Sequence, residues 1–167
     1  MIQRIQTIYL LLATILMSLA LCLPLATVWQ GGNELVVKAF FLDGEMGFKA
    51  PLPIYMGIVM AVATALPFIT IFIYKKRLAQ IRLCVSELVL LVGSIAFIAL
   101  YCYRLCDVLK EMFPELNFTL GIASLMPVAS IILVILAIRG IAKDEALVRS
   151  LDRIRYRKSN KCKIILR

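Results

Sequence analysis

The sequence contains no histidine. That absence removes bis-imidazole haem ligation, zinc sites that need an imidazole and any histidine general base. It also lacks a Cys-x-x-Cys pair. Its five cysteines, Cys22, Cys84, Cys102, Cys106 and Cys162, are an odd number, so no disulfide framework is expected. Charge is scarce at 17% of residues, and four long apolar stretches carry no Lys or Arg. A site built on two carboxylates sharing one proton has no second acid inside those stretches. No internal repeat relates the two halves, which disfavours transporter folds built from repeats. No enzyme activity, cofactor or metal is expected.

What remains is apolar surface. Of 167 residues 62% are hydrophobic, and the mean hydropathy is +0.94. A soluble domain this small cannot hide so much, so lipid covers the excess. Ile8 to Val28, Ile54 to Tyr74, Leu83 to Tyr103 and Leu120 to Ile138 each reach the roughly 17 to 25 residues needed to cross about 30 Å of hydrocarbon. The first run exceeds a signal peptide's apolar core of about 7 to 15 residues and is expected to stay attached. Leu21 is too large to precede a lipoprotein-type cleavage at Cys22.

Charge sets the orientation. Residues 1–7, 75–82 and 139–167 hold 15 Lys or Arg and 3 acids, whereas the other two connections hold 4 and 6. The positive side of a membrane protein faces the cytoplasm, so both termini are expected there. The net charge of +9 therefore speaks for anionic lipid head groups rather than nucleic acid. The expected fold is an all-α membrane protein. Residues 1–141 form a four-helix transmembrane bundle, with a small outer β-hairpin, and residues 142–167 a basic cytoplasmic tail carrying an amphipathic helix.

Both outer connections are patterned. Glu34 to Leu42 is rich in β-formers and runs into Asp43-Gly44, which predicts a hairpin returning over Glu45 to Ala50. A two-stranded hairpin is marginal alone and should lie on the mouth of the bundle. Leu105, Val108, Leu109 and Met112 share a helical face before Pro114, which predicts a short helix at the interface. In the tail, Leu147, Leu151 and Ile154 align at helical spacing. Arg149, Arg153 and Arg157 form a separate stripe, and Glu145 precedes Arg149 by four residues.

Glu87 is the single ionisable residue inside a span, and an intramembrane carboxylate is a candidate functional group by default. It lies near the start of its span, where the helix dipole favours negative charge and Arg82, Arg139 or Lys143 reach it by snorkelling. A structural anchor is favoured over a proton or cation site. Small residues recur every fourth position at Thr14, Ser18, Cys22 and Ala26, and at Gly57, Ala61 and Ala65. They predict close helix packing within the chain, with dimerisation as the alternative. Pro24, Pro67 and Pro127 each deprive the carbonyl four residues earlier of its donor, which predicts kinks.

Cys102 and Cys106 lie one turn apart. Without Cys-x-x-Cys they read as apolar cysteines rather than a thiol-oxidase pair. Asn117-Phe118-Thr119 matches a glycosylation acceptor by chance. The basic groups Lys75, Lys76, Arg77 and Arg82, with Arg139, Lys143, Arg149, Arg153 and Arg155, form a candidate cytoplasmic surface for anionic lipid or a membrane-protein partner. A homo-oligomer is the remaining possibility.

The start MIQRIQTIYLLLA, the loop IFIYKKRLAQIRLC and the end AIRGIAKDEALVRSLDRIR resemble the family catalogued as domain of unknown function 4293, four-span proteins of Bacteroidetes-type bacteria. The resemblance implies a bacterial inner-membrane location. It supplies no substrate, cofactor or catalytic residue. All three segments touch the face expected in the cytoplasm, which points to a non-enzymatic scaffold or accessory subunit. The competing expectation is a small transporter with Glu87 as its ion-coupling site.

Overall fold

The structure is a computed structural model that describes residues 3–30, 33–44, 53–73, 77–112 and 117–165, with the backbone alone beyond residue 150. It is mostly helical with one small antiparallel sheet. The order is α1 (Gln3–Cys22), β1 (Ala26–Gln30), β2 (Asn33–Val37), β3 (Leu42–Asp43), α2 (Ile54–Phe72), α3 (Arg77–Met112), β4 (Asn117–Leu120), a 3-10 turn (Ile122–Leu125) and α4 (Met126–Ile165). Helix α1 packs on α2 and α4, and α3 packs on the same two, so the helices close a ring in chain order.

The inward face of each helix repeats at steps of three and four, alternating except for one doubled step of four on α3. On α1 the buried positions are Gln6, Leu10, Ala13, Met17 and Ala20. On α4 they are Pro127, Ser130, Val134, Ala137, Ile141 and Asp144. A mean step of 3.5 residues is the period of a left-handed helix bundle. The inward positions mix small and polar side chains with Leu10, Met17, Met60, Leu91 and Val134, while Leu11, Ile15, Ile58, Phe68, Val89, Leu100 and Ile132 are exposed. Small interior residues let backbones approach closely, and the apolar outward faces suit lipid. Among the described residues, three helices are long and apolar enough to cross a membrane, and the apolar part of α1, Gln6–Cys22, is somewhat shorter.

The small-residue stripe expected on α1 has a different phase. Ser18 and Cys22 are exposed, and Ala26 belongs to β1. Thr14 and Ser18 donate their hydroxyls to the carbonyls of Leu10 and Ile15 on their own helix. On α2 Gly57 is buried but Ala65 is exposed. The interior stripe follows the 3.5 period, and a strict four-residue repeat drifts off it within two turns.

The sheet is larger than a hairpin and takes its strands from both connections, in the order β3-β2-β1-β4. The first apolar run ends as helix at Cys22 and continues as β1, where Ala26 pairs with Val37 and Val28 with Leu35. Those four side chains are buried, whereas Trp29 and Glu34 are exposed. The pleat thus turns one face onto the helix ends. Strand β4 adds to the other side of β1, with Thr27 opposite Thr119 and their hydroxyls 2.6 Å apart. The chain bends first at residues 38–41, where Lys38 Nζ meets Asp43 Oδ2 at 2.9 Å; Asp43 then ends β3, and Gly44 follows it as a bend with φ 146°. The expected return strand lies outside the described residues.

Backbone bonds tie the sheet to the ring. Leu25 N donates to Val37 O at 2.8 Å, and Gly121 N donates to Leu25 O at 2.9 Å, which fixes the end of α1 beside the start of α4. Gly57 brings α2 to the same end, since a Cβ there would meet the Phe40 ring and, at 2.6 Å, the Ala39 carbonyl. Helix α3 also ends at the sheet, leading into β4, so neighbouring helices are antiparallel.

Two expectations about helix breaks change. Pro24 follows the end of α1 and Pro127 occupies the first turn of α4, so neither interrupts a helix; Pro67 alone lies within one. Proline fits a first turn because its missing N–H has no helical acceptor there. Residues 105–112 form no separate interfacial helix but continue α3, with Leu105 and Leu109 buried.

Gly57→Ala is expected to lower the thermal unfolding midpoint in detergent micelles, because it overpacks a backbone contact at a cost of about 1–3 kcal/mol. Gly93, where an added Cβ meets nothing within 4 Å, serves as the control. Gly93→Ala should leave the midpoint unchanged or raise it, as helix propensity favours alanine by about 1 kcal/mol. Circular dichroism melts of both variants check the pair.

Candidate functional site

The inward line of α3 runs through Gln80, Cys84, Glu87, Leu91, Ser94, Ile98 and Cys102. Glu87 sits three residues after Cys84 and four before Leu91, so the periodicity that builds the core also places a carboxyl in it. Its side chain is 0% exposed, and neither Oε1 nor Oε2 has a hydrogen-bond partner among the described residues. Two other buried hydroxyls of the ring are turned to their own helices: Ser94 Oγ donates to Leu91 O at 2.7 Å, and Thr70 Oγ1 to Leu66 O at 2.7 Å. Ser130 Oγ on α4 is a second buried group without a partner.

The anchor expected for Glu87 does not form. Helix α3 starts at Arg77, so Glu87 lies ten residues in, about 15 Å along the axis at 1.5 Å per residue. The helix dipole acts within the first turn and does not reach it. Arg82, Arg139 and Lys143 are exposed, and none reaches the Glu87 oxygens. Long basic side chains at the boundary instead direct their cations outward.

A polar contact absent from the sequence reading joins the far end of the ring. Gln6 Nε2 on α1 donates to Asp144 Oδ2 on α4 at 3.0 Å, and both residues are buried. Gly140 makes the space, since a Cβ there would lie 2.9 Å from Gln6 Cγ. The available signal was Gly140 one turn before Asp144, where the apolar stretch of α4 ends. Asp144, placed by sequence in the tail, thus packs inside the ring.

The remaining candidates are dispersed. Lys75 and Lys76 lie outside the described residues, and Arg77 opens α3. Arg149, Arg153 and Arg155 follow Lys143 along α4, which continues unbroken from the apolar segment to Ile165. Cys102 is buried and Cys106 half-buried; both are free thiols. Among the described residues no cluster of three His, Cys, Asp or Glu side chains is arranged to hold a metal.

A groove lies elsewhere, between the start of α2 and the sheet-side half of α3, lined by Tyr55, Met56, Phe97, Leu100, Tyr101 and Arg104 among others. Glu87 does not line it, and it is about 25 Å from Arg104 along α3. An enzyme site uniting Glu87, Tyr101 and Arg104 is therefore not formed.

Replacing an unpartnered buried carboxyl should stabilise the fold. Glu87→Leu is expected to raise the unfolding midpoint in micelles by the equivalent of about 1–3 kcal/mol, the usual cost of burying a polar group without a hydrogen bond. A lowered midpoint in scanning fluorimetry would reveal a partner for the acid.

Comparison with known proteins gives one assignment. A family model described as Domain of unknown function (DUF4293) matches residues 2–154. No curated protein matches the chain.

Proposed function

This chain belongs to the DUF4293 family, a domain of unknown function, and on that premise we propose a non-enzymatic membrane scaffold or accessory subunit that presents a basic cytoplasmic face to anionic lipid or a partner protein. It crosses a bacterial inner membrane four times, with both termini in the cytoplasm. The three long apolar helices support the span count, and so does α1, whose apolar part Gln6–Cys22 rises about 25 Å, close to the thickness of the hydrocarbon layer. The excess of Lys and Arg at the ends and in the middle loop supports the orientation.

One observation carries the functional half. Helix α4 has 40 residues and rises about 60 Å, roughly twice what a crossing requires. The half beyond the Gln6–Asp144 contact holds Arg149, Arg153, Arg155 and Arg157. Orientation alone needs only a few flanking cations, whereas a continuous basic helix projecting from the membrane supplies a surface.

Truncation after Ser150 keeps Asp144 and removes the basic half. Purified from native membranes, the truncated chain is expected to lose anionic phospholipid and protein partners that the full chain retains. Identical co-purifying sets, read by mass spectrometry, would sink this function. A reporter fused after Arg167 should be active in the cytoplasm.

Glu87 favours a second function, a small transporter that couples to a proton or cation at that carboxyl. Its support is a buried acid with two unpartnered oxygens. A hydrophobic carbodiimide should label Glu87 in membranes, and Glu87→Gln should abolish ion-driven flux in reconstituted vesicles. Flux unchanged by that substitution removes the transporter.

A further inference from the structure

We propose that the groove between α2 and α3 binds one anionic phospholipid, with an acyl chain on its apolar wall and the phosphate held by Arg104. The site is separate from the basic face of α4, because it lies at the sheet end of the ring and the basic half of α4 projects from the opposite end.

The groove has a volume of about 360 Å³. Its wall is apolar, with Met56 from α2 and Phe97 and Leu100 from α3. Leu100 is 61% exposed and Phe97 43%, so the groove opens sideways, and the flanking surface on α2 is also apolar, at Ile54 and Ile58. An opening onto an apolar exterior admits a chain from the surrounding bilayer rather than a water-soluble ligand.

Polarity rises along the groove in one direction. Phe97, Leu100, Tyr101 and Arg104 follow one another at steps of three, one and three, on a single face of α3. Arg104 stands about 10 Å beyond Phe97 toward the sheet. Tyr55, 79% exposed, and Tyr101 line the same end as Arg104. Tyrosine rings favour the level of lipid head groups, and arginine binds phosphate through its planar fork of donors. The sequence of apolar wall, aromatic rim and cation repeats the sequence of chain, glycerol and phosphate in a lipid.

Arg104 is exposed and makes no ion pair among the described residues. Asp107, three residues on and also exposed, competes for the guanidinium but does not engage it. The geometry of α3 explains why a groove opens here. Its buried positions step by four twice in succession, Ser94 to Ile98 to Cys102, which breaks the 3.5-residue rhythm. Such a stutter locally unwinds helix packing, and Phe97, Leu100 and Tyr101 lie beside it.

The full-length protein in micelles should be incubated with phosphatidylglycerol or phosphatidylcholine, and bound lipid measured by native mass spectrometry. Preferential retention of phosphatidylglycerol is expected. Arg104→Ala should weaken it about tenfold, the loss given by one charge-assisted hydrogen bond, and Arg104→Lys should restore part. Leu100→Trp, which fills the groove at an exposed position, should reduce retention of both lipids. Truncation after Ser150 should leave binding at this site intact, so failure here is distinguishable from failure of the basic-face function. Lipid-free unfolding midpoints equal to that of the unsubstituted protein establish that the variants fold. Equal retention of the two lipids, or retention unchanged in Arg104→Ala or Leu100→Trp, overturns the proposal.

Discussion

The ring depends on packing together helices whose outward faces are themselves apolar. Large apolar side chains lie on both sides of the ring wall, Leu10, Met17, Leu91 and Ile141 within and Leu11, Ile58, Phe68 and Val89 outside, so burial of hydrocarbon alone does not distinguish inside from outside, and close backbone approach helps to hold the ring together. That is why Ala13, Ala20, Ala63, Ser94, Ser130 and Ala137 are interior while Leu11, Ile58, Phe68 and Val89 are not. The same constraint makes each interior polar group consequential. Gln6 and Asp144 answer it by meeting each other, and Ser94 and Thr70 answer it by folding back on their own helices. Glu87 does not answer it at all. It is the one interior acid that the ring leaves uncompensated among the described residues.

The sheet solves a different problem. Four helix ends meet at one level and have to be held there. Strands from two distant connections tie the segments leaving α1 and entering α4 together through the Leu25–Val37 and Gly121–Leu25 bonds, so segments about ninety residues apart become one layer. Gly57 and Gly121 permit the approach, because a Cβ at either would strike backbone oxygen.

Much of the helical frame was legible in hydropathy. Apolar length marks α2, α3 and α4 as membrane-compatible, and three short segments carry the family likeness that the match over residues 2–154 establishes. What sequence missed depends on contacts between distant residues. Ala26 to Gln30 is apolar enough to extend a helix, yet pairing with Asn33 to Val37 and Asn117 to Leu120 makes it a strand. Hydropathy cannot see that pairing. The Thr14–Ser18–Cys22 stripe misled because a repeat of four and a repeat of 3.5 agree over one turn and part after two. Glu87 was legible as an isolated acid, but its lack of a partner depends on where Arg82, Arg139 and Lys143 point, which spacing along one helix does not determine.

Helix α4 has neither a glycine-proline break nor a turn between Met126 and Ile165. A rod without a hinge transmits torque. A partner that gripped its arginine-rich half would therefore act on the same continuous helix that forms the seam against α1 and leads back to the 3-10 turn beneath the sheet.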